Sequence, residues 1–145
     1  MRPEGYAIGS SDLTPQYKDV VPVLIKAIVL NEKHFKKVFT FGGFPHCVLP
    51  KALLADEDMM RRYAGEYRDL STDCSILDDN AREGGFVSET SDYADGRQRF
   101  NWQDRKKHER KGGPAACPSC ARRPVCEGVW KGYLDIYGDG EFKAF

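Results

Sequence analysis

The sequence lacks long apolar runs and any excess of charge of one sign. Its longest apolar run, residues 20–30, is interrupted by Pro22 and Lys26 and reaches about half the length that a membrane span requires. The 22 basic residues balance the 22 acidic ones, so no global field favours a nucleic acid or an anionic membrane. The first residues also lack the apolar core of a secretory signal. We therefore expect a cytoplasmic protein with neither partner.

Familiar catalytic patterns are absent as well. The chain has no glycine-rich phosphate loop, no serine-centred nucleophile elbow and no pair of histidines at metal-ligand spacing. The carboxylates of Asp56, Glu57 and Asp58 are predicted to be first-turn charges of a helix, where the helix dipole favours them. No residue is therefore predicted to act as a general acid, a general base or a nucleophile.

Cysteine is where the sequence becomes informative. Cys117, Cys120 and Cys126 follow the spacing C-x2-C-x5-C in a loop broken by prolines. A two-residue gap lets two thiolates bind one centre while the chain turns around it. In a reducing compartment such a group is typical of metal binding rather than of a disulfide framework. The loop is therefore predicted to hold a soft metal ion or an iron–sulfur cluster.

The fourth ligand must come from elsewhere in the chain. Cys47 is predicted to supply it, because a Gly-Gly pair and a proline place it in a turn, although a buried core thiol is the alternative. Cys74 lies in a polar segment and is expected to be left over. His34, His46 and His108 could each substitute as a ligand, but a surface or packed role is the simpler interpretation of an isolated histidine.

Zinc and an iron–sulfur cluster are both compatible with four cysteines. A structural zinc finger usually offers two short knuckles, whereas this chain has one such pair and a lone cysteine far upstream. This asymmetry favours a cluster. The basic run of residues 105–111, with Arg122 and Arg123, is either solvated surface or a source of positive charge that stabilises an anionic cluster.

The apolar pattern predicts an α+β domain. The 145 residues, of which 41% are hydrophobic, are sufficient for one compact unit with a modest core. Helical spacing predicts a helix in residues 15–30, with Thr14 as its N-cap and Pro15 at its first position. Pro22 leaves open a later start near residue 19 or 20. Residues 37–41 have the β-branched and aromatic content of a short strand.

Two further helices are predicted, one in residues 51–70 and one in residues 128–137. Gly138 is the expected C-terminal cap of the second. Residues 71–113 are polar and are expected to contain short strands or turns. The inner face of the first helix is predicted to consist of Leu53, Leu54, Met60, Tyr63 and Tyr67.

Together these motifs resemble a known family. The cysteine loop and the residues after it are similar to the C-terminal auxiliary-cluster region of radical S-adenosylmethionine enzymes of the SPASM and Twitch type. Upstream, the spacing from Gly42 to Cys47 matches the first half of that region, and residues 2–7 are similar to the end of a late strand of the radical barrel. The matching residues after the cysteine loop are Gly128, Val129, Trp130, Tyr133, Tyr137, Gly138 and Glu141.

The resemblance implies one [4Fe-4S] cluster bound by Cys47, Cys117, Cys120 and Cys126. Trp130 stands where the full SPASM pattern has another cysteine, so only a single, Twitch-like cluster is implied. The family's C-x3-C-x2-C motif, which binds the cluster that cleaves S-adenosylmethionine, does not occur in this chain. The chain is therefore not expected to be active alone, and S-adenosylmethionine would enter only through a barrel supplied in cis or in trans.

The sequence thus predicts an α+β protein in which a small cysteine-loop iron–sulfur module packs on a helix and a strand resembling the end of a partial (β/α) barrel. Residues 1–36 would form the barrel-like segment and residues 37–145 the auxiliary domain. Its expected role is to support substrate binding, of a peptide or a small molecule, or electron transfer. The alternatives are a non-catalytic zinc-binding interaction domain and a metal-free remnant. A fragment, a split gene product and a stand-alone protein all fit the sequence.

Overall fold

The computed structural model describes residues 7–65, 73–76, 90–92, 98–101 and 106–145. Over these ranges the protein is α+β, with helices concentrated in the first half and short strands in the second. The α-helices are α1 (Tyr17–Leu30), α2 (Lys51–Ala55), α3 (Glu57–Tyr63) and α4 (Lys131–Tyr137). The strands are β1 (Asp73–Ile76), β2 (Thr90–Asp92), β3 (Gln98–Asn101), β4 (Lys111–Gly112) and β5 (Val129–Trp130).

Helix α1 covers most of the predicted helix but begins differently. Gln16 is its N-cap, without a side-chain hydrogen bond, so the predicted cap by Thr14 and Pro15 is wrong. Thr14 is buried, and its carbonyl accepts a hydrogen bond from the Tyr137 hydroxyl, which commits this residue to a tertiary contact. The later start near residue 19 or 20 is also wrong, because α1 begins at Tyr17 and includes Pro22.

A π-turn, Asn31–Phe35, continues α1 and is organised by one buried side chain. The Asn31 amide donates to Lys37 O at 2.9 Å and to Tyr63 Oη at 2.8 Å, and its Oδ1 accepts from the Lys37 N–H at 2.8 Å. Tyr63 in turn donates to Glu32 Oε1 at 2.5 Å. Asn31 therefore joins the end of α1 to the following segment and to α3.

The predicted strand at residues 37–41 is wrong except at its last residue. Phe41 forms an isolated parallel bridge to Ala64, in which the Phe41 N–H donates to Tyr63 O and the Gly65 N–H donates to Phe41 O, both at 2.8 Å. Val38 is 81% exposed. Lys37 is hydrogen-bonded instead to the Asn31 side chain and Phe39 packs on the Tyr63 ring, so among the described residues the segment forms one bridge and no ladder.

The predicted helix at residues 51–70 is two helices, separated at Asp56. Asp56 has extended backbone angles and accepts a hydrogen bond from the Met59 N–H at 2.9 Å, which makes it the N-cap of α3. Glu57 and Asp58 occupy the first turn, as expected. Residues 66–70, including Tyr67, lie outside the described ranges. The predicted inner face is confirmed at Leu53, Leu54, Met60 and Tyr63, all of which are buried.

Short strands occur in the segment 71–113, as predicted. β3 pairs antiparallel with both β1 and β2, giving the order β1-β3-β2. β4 pairs antiparallel with β5, with Lys111 opposite Trp130. Because Val129 and Trp130 form β5, the helix predicted at 128–137 begins at Lys131. Gly138, with φ of 66°, is its C-cap as expected.

Two hydrophobic cores fix these elements. The first contains Ile28 from α1 together with Phe41 and the buried residues of α2 and α3. The second contains Tyr17 from α1 together with residues of β5 and α4 and Phe142. Helix α1 thus contributes to both cores, and the domain boundary between residues 36 and 37 stays a prediction. Among the described residues, no helix is long and apolar enough to cross a bilayer.

An Asn31→Ala variant tests the turn that follows α1. It removes three hydrogen bonds at a buried position, so we expect the free energy of unfolding to fall by about 2–3 kcal/mol. Lys33→Ala is the control, because Lys33 is exposed in the same turn and should change stability by less than about 0.5 kcal/mol. Urea unfolding measures both, and equal values for the two variants would contradict the assignment.

Candidate metal centre

The three clustered cysteines lie on consecutive tight turns. A 3-10 turn, Cys117–Ser119, begins the series, with the Cys117 N–H donating to Pro114 O at 2.8 Å and the Cys120 N–H to Cys117 O at 3.1 Å. The Cys126 N–H then donates to Arg122 O at 3.0 Å. The chain therefore turns repeatedly between the three cysteines.

Cys47 comes from a separate turn, His46–Val48, which follows Pro45. Gly43 precedes this turn and has a φ of 75°, which favours glycine. A Cβ at Gly43 would lie 2.8 Å from Trp130 Nε1. The turn thus packs directly against the β5 tryptophan, which is four residues beyond Cys126. This approach brings the distant cysteine to the cysteine loop.

All four predicted ligands line one cavity of about 440 Å³. The two turns are linked directly, because the His46 N–H donates to Cys126 Sγ at 3.4 Å although the residues are 80 positions apart. The thiols surround the cavity without converging on one ion position: in the described part of the chain, no three Cys, His, Asp or Glu side chains form the ligand set of a metal ion. Whether these four residues bind a metal stays a prediction.

The thiols influence one another electrostatically. Burial, and then the nearby Cys126, raise the pKa of Cys47 to about 11. Burial, and then Cys126 and Cys120, raise the pKa of Cys117. The pKa of Cys120 is lowered, chiefly because the Phe145 N–H donates to its sulfur at 3.5 Å. Neighbouring thiols resist ionising together, so a bound cation would be needed to hold all four as thiolates.

Residues 142–144 line the cavity and are a part of the site that the sequence did not predict. Glu141 accepts from the Tyr133 hydroxyl and from the Lys18 N–H, the latter at 2.6 Å. Phe142 is buried in the second core. Beyond it, backbone N–H groups of Lys143 and Phe145 donate toward the sulfurs of two cysteines, Cys47 and Cys120 respectively. Backbone donors have no sequence signature. Phe142, however, is an apolar residue near the end of the given sequence, and its burial could have been predicted.

A second missed feature is the carboxylate beside Cys126. Glu127 accepts from Lys106 Nζ at 2.7 Å and from Lys111 Nζ at 2.5 Å. Burial raises the pKa of Glu127, but the hydrogen bonds and the positive charges of Lys106 and Lys111 together outweigh burial, so this pKa is lowered. Lys111 also lies 5.0 Å above the Trp130 ring. Glu127 lies 16 positions from Lys111 in the sequence, so this pairing depends on the fold and had no local sequence signal.

The other candidate residues have different positions. His46 is buried in the cavity wall and His108 lies on the same wall but is exposed, whereas His34 is exposed elsewhere, against Phe35. Cys74 lies in β1, opposite Phe100 of β3. The basic run reaches the cavity through Lys107, His108 and Lys111.

Gly128 gives a test of the close packing beside the cysteines. It has φ of 87°, and a Cβ there would lie 2.7 Å from Gly112 O, so Gly128→Ala should destabilise the fold by about 2 kcal/mol or more. Gly140→Ala is the control, because nothing lies within 4 Å of its Cβ position. Urea unfolding should show a change below about 0.5 kcal/mol for the control. Similar losses in both variants would contradict the clash.

Phe145→Pro tests the backbone donor to Cys120. Proline has no N–H, so in the metal-free protein the pKa of Cys120 should rise, and Phe145→Ala, which keeps the N–H, should leave it unchanged. Alkylation rates measured against pH, with each cysteine resolved by mass spectrometry, give this pKa. Because a raised pKa leaves less thiolate, alkylation of Cys120 should shift to higher pH in the proline variant only. An equal shift in both variants would assign the effect to the lost ring.

Comparison with known proteins does not place the chain in a family. No family model matches the chain, and neither a curated protein nor a solved structure is significantly similar to it. The similarity to the SPASM and Twitch regions therefore stays a prediction from the motifs. The function has to be inferred from the cavity and the cysteines that line it.

Proposed function

We propose that the chain is an auxiliary iron–sulfur domain in which Cys47, Cys117, Cys120 and Cys126 hold one [4Fe-4S] cluster. The observation that carries this proposal is the meeting of these four thiols at one cavity, although one of them lies 70 positions before the other three. Cysteine thiolates are the ordinary ligands of such clusters. The module would be the iron–sulfur part of the α+β fold, beside a barrel-like segment in residues 1–36.

The donor set fits the group. Backbone N–H groups donate to cysteine sulfurs, from His46 to Cys126 at 3.4 Å and from Phe145 to Cys120 at 3.5 Å, and the Lys143 N–H donates toward Cys47. Hydrogen bonds to the sulfurs are one of the means by which proteins stabilise and tune thiolate-bound clusters. The bonds to Cys126 and Cys120 help to orient these two sulfurs. The cavity wall therefore offers both ligands and their supporting donors.

The spacing of the cysteines along the chain favours a cluster over one zinc ion. A structural zinc site usually offers two short knuckles, whereas here one such pair is joined by Cys126 and by Cys47, which lies 70 positions before Cys117. A four-iron cluster takes one thiolate on each iron, so cysteines from separate turns can hold it. The cavity of about 440 Å³ that these cysteines line has room for a group larger than one ion.

When bound, the cluster would supply a one-electron redox couple. The chain's own residues then have three roles: the cysteines bind, the backbone N–H groups orient sulfurs, and residues 142–144 form part of the cavity wall. The domain would support substrate binding or electron transfer for a radical S-adenosylmethionine barrel supplied in cis or in trans. Because the chain has no C-x3-C-x2-C motif, it would not cleave S-adenosylmethionine alone.

Anaerobic reconstitution with iron and sulfide tests the proposal. We expect about four irons and four sulfides per chain, with the absorption and electron paramagnetic resonance spectra of a [4Fe-4S] cluster. Cys47→Ala should lose most of this iron, whereas Cys74→Ala is the matched control and should retain it. Circular dichroism of both variants before loading separates loss of ligand from loss of fold, and Cys120→Ala repeats the test from the cysteine loop.

Two results would contradict the proposal. The first is tight binding of one equivalent of zinc with no uptake of iron, which would favour the zinc-binding interaction domain. The second is loss of iron in Cys74→Ala with retention in Cys47→Ala, which would show that the fourth ligand is wrongly chosen.

A further inference from the structure

We propose that the cysteine cavity also binds a small anion with two or more negative charges, carried by phosphate or carboxylate groups. This inference rests on the proposed function in one respect: the anion would lie beside the cluster in the same cavity. Its basis is different, however, because it depends on the cations of the cavity wall and not on the thiols.

Four cations line the cavity without a carboxylate partner among the described residues: Lys107, Arg122, Arg123 and Lys143. Glu127 is the only carboxylate in the described wall, and Lys106 and Lys111 already neutralise it. The chain as a whole has no net charge, so this wall concentrates positive charge locally. Such a concavity attracts anions more strongly than a flat surface with the same charges.

The cluster alone does not account for these cations. A [4Fe-4S] cluster with four thiolates carries about two negative charges in its usual oxidised state, and a zinc tetrathiolate carries the same. The four cations without a described carboxylate partner carry four positive charges, and Lys106 and Lys111 together exceed Glu127 by one more, so the positive charge exceeds that of the cluster by about three. A ligand with two or three negative charges would therefore leave the cavity close to neutral, whichever metal it holds.

The shape and chemistry of the wall suit a small ligand. The volume of about 440 Å³ lies within the range of cavities that hold small molecules. Arg122 is half-buried and donates to Leu54 O at 3.3 Å, which fixes the position of its guanidinium group. A guanidinium presents paired donors that match the two oxygens of a carboxylate or phosphate. Exposed Arg123, Lys107 and Lys143 at the same cavity can complete the binding of a second charged group.

Isothermal titration calorimetry with inorganic pyrophosphate and with citrate tests the site, on the full chain both metal-free and after reconstitution. We expect at least one probe to bind in a one-to-one complex whose affinity falls with added salt. Arg123→Gln and Lys143→Gln should each weaken binding about tenfold, since each removes a charged hydrogen-bond donor. The matched controls are Arg61→Gln and Lys26→Gln, which remove the same charges from exposed positions outside the cavity and should change affinity by less than about twofold.

The outcomes separate the two proposals, because iron content is measured on the same samples. Binding of pyrophosphate alone identifies a phosphate ligand, and binding of citrate alone identifies a carboxylate ligand; either result supports the site if the cavity variants weaken it. Absence of binding by both probes at millimolar concentration overturns the anion site, and so does equal weakening in the cavity variants and their controls. Anion binding by a protein that takes up no iron would support the anion site while the cluster proposal fails.

Discussion

The fully buried ring of Tyr17 joins α1 to both segments that carry the cysteines. Its hydroxyl donates to Gly43 O at 3.0 Å, four residues before Cys47, and its backbone N–H donates to Tyr133 Oη at 3.1 Å. The two tyrosine rings lie 4.5 Å apart. Burial raises the pKa of Tyr17, so this phenol remains a neutral donor at all ordinary pH values. Tyr17 thus links α1 to the chain just before Cys47 and to α4, which follows the cysteine loop.

The parts of the site that could be predicted are those set by local chemistry. The turn that carries Cys47 follows from a glycine with positive φ and a proline, and both can be recognised in the sequence. The C-x2-C-x5-C spacing likewise predicts consecutive turns without any knowledge of the fold. Local signals also predict the inner face of α2 and α3 and the Gly138 cap, because each depends on residues within one or two helical turns.

The parts that could not be predicted depend on contacts between distant residues. Residues 37–41 have strand composition, but a strand needs a partner, and in the described part of the chain Phe41 bridges to Ala64 alone. Val129 and Trp130 fit a helical pattern equally well, yet β4 draws them into a short ribbon. The N–H donors from residues 143 and 145 are backbone groups, whose identity is independent of the side chain. In each case the structure depends on which distant residue lies beside the segment, and the segment's own sequence does not identify that residue.

The net charge of the chain did not predict the local charge of the cavity. The total is zero, yet lysines and arginines are concentrated in the cavity wall. If the cluster and an anion share this wall, their charges are coupled through the same cations. One-electron reduction adds a negative charge to the cluster and must then weaken binding of the anion. By thermodynamic reciprocity the anion lowers the reduction potential by the corresponding free energy. The wall would therefore connect ligand occupancy with electron transfer without any conformational change, through charge alone.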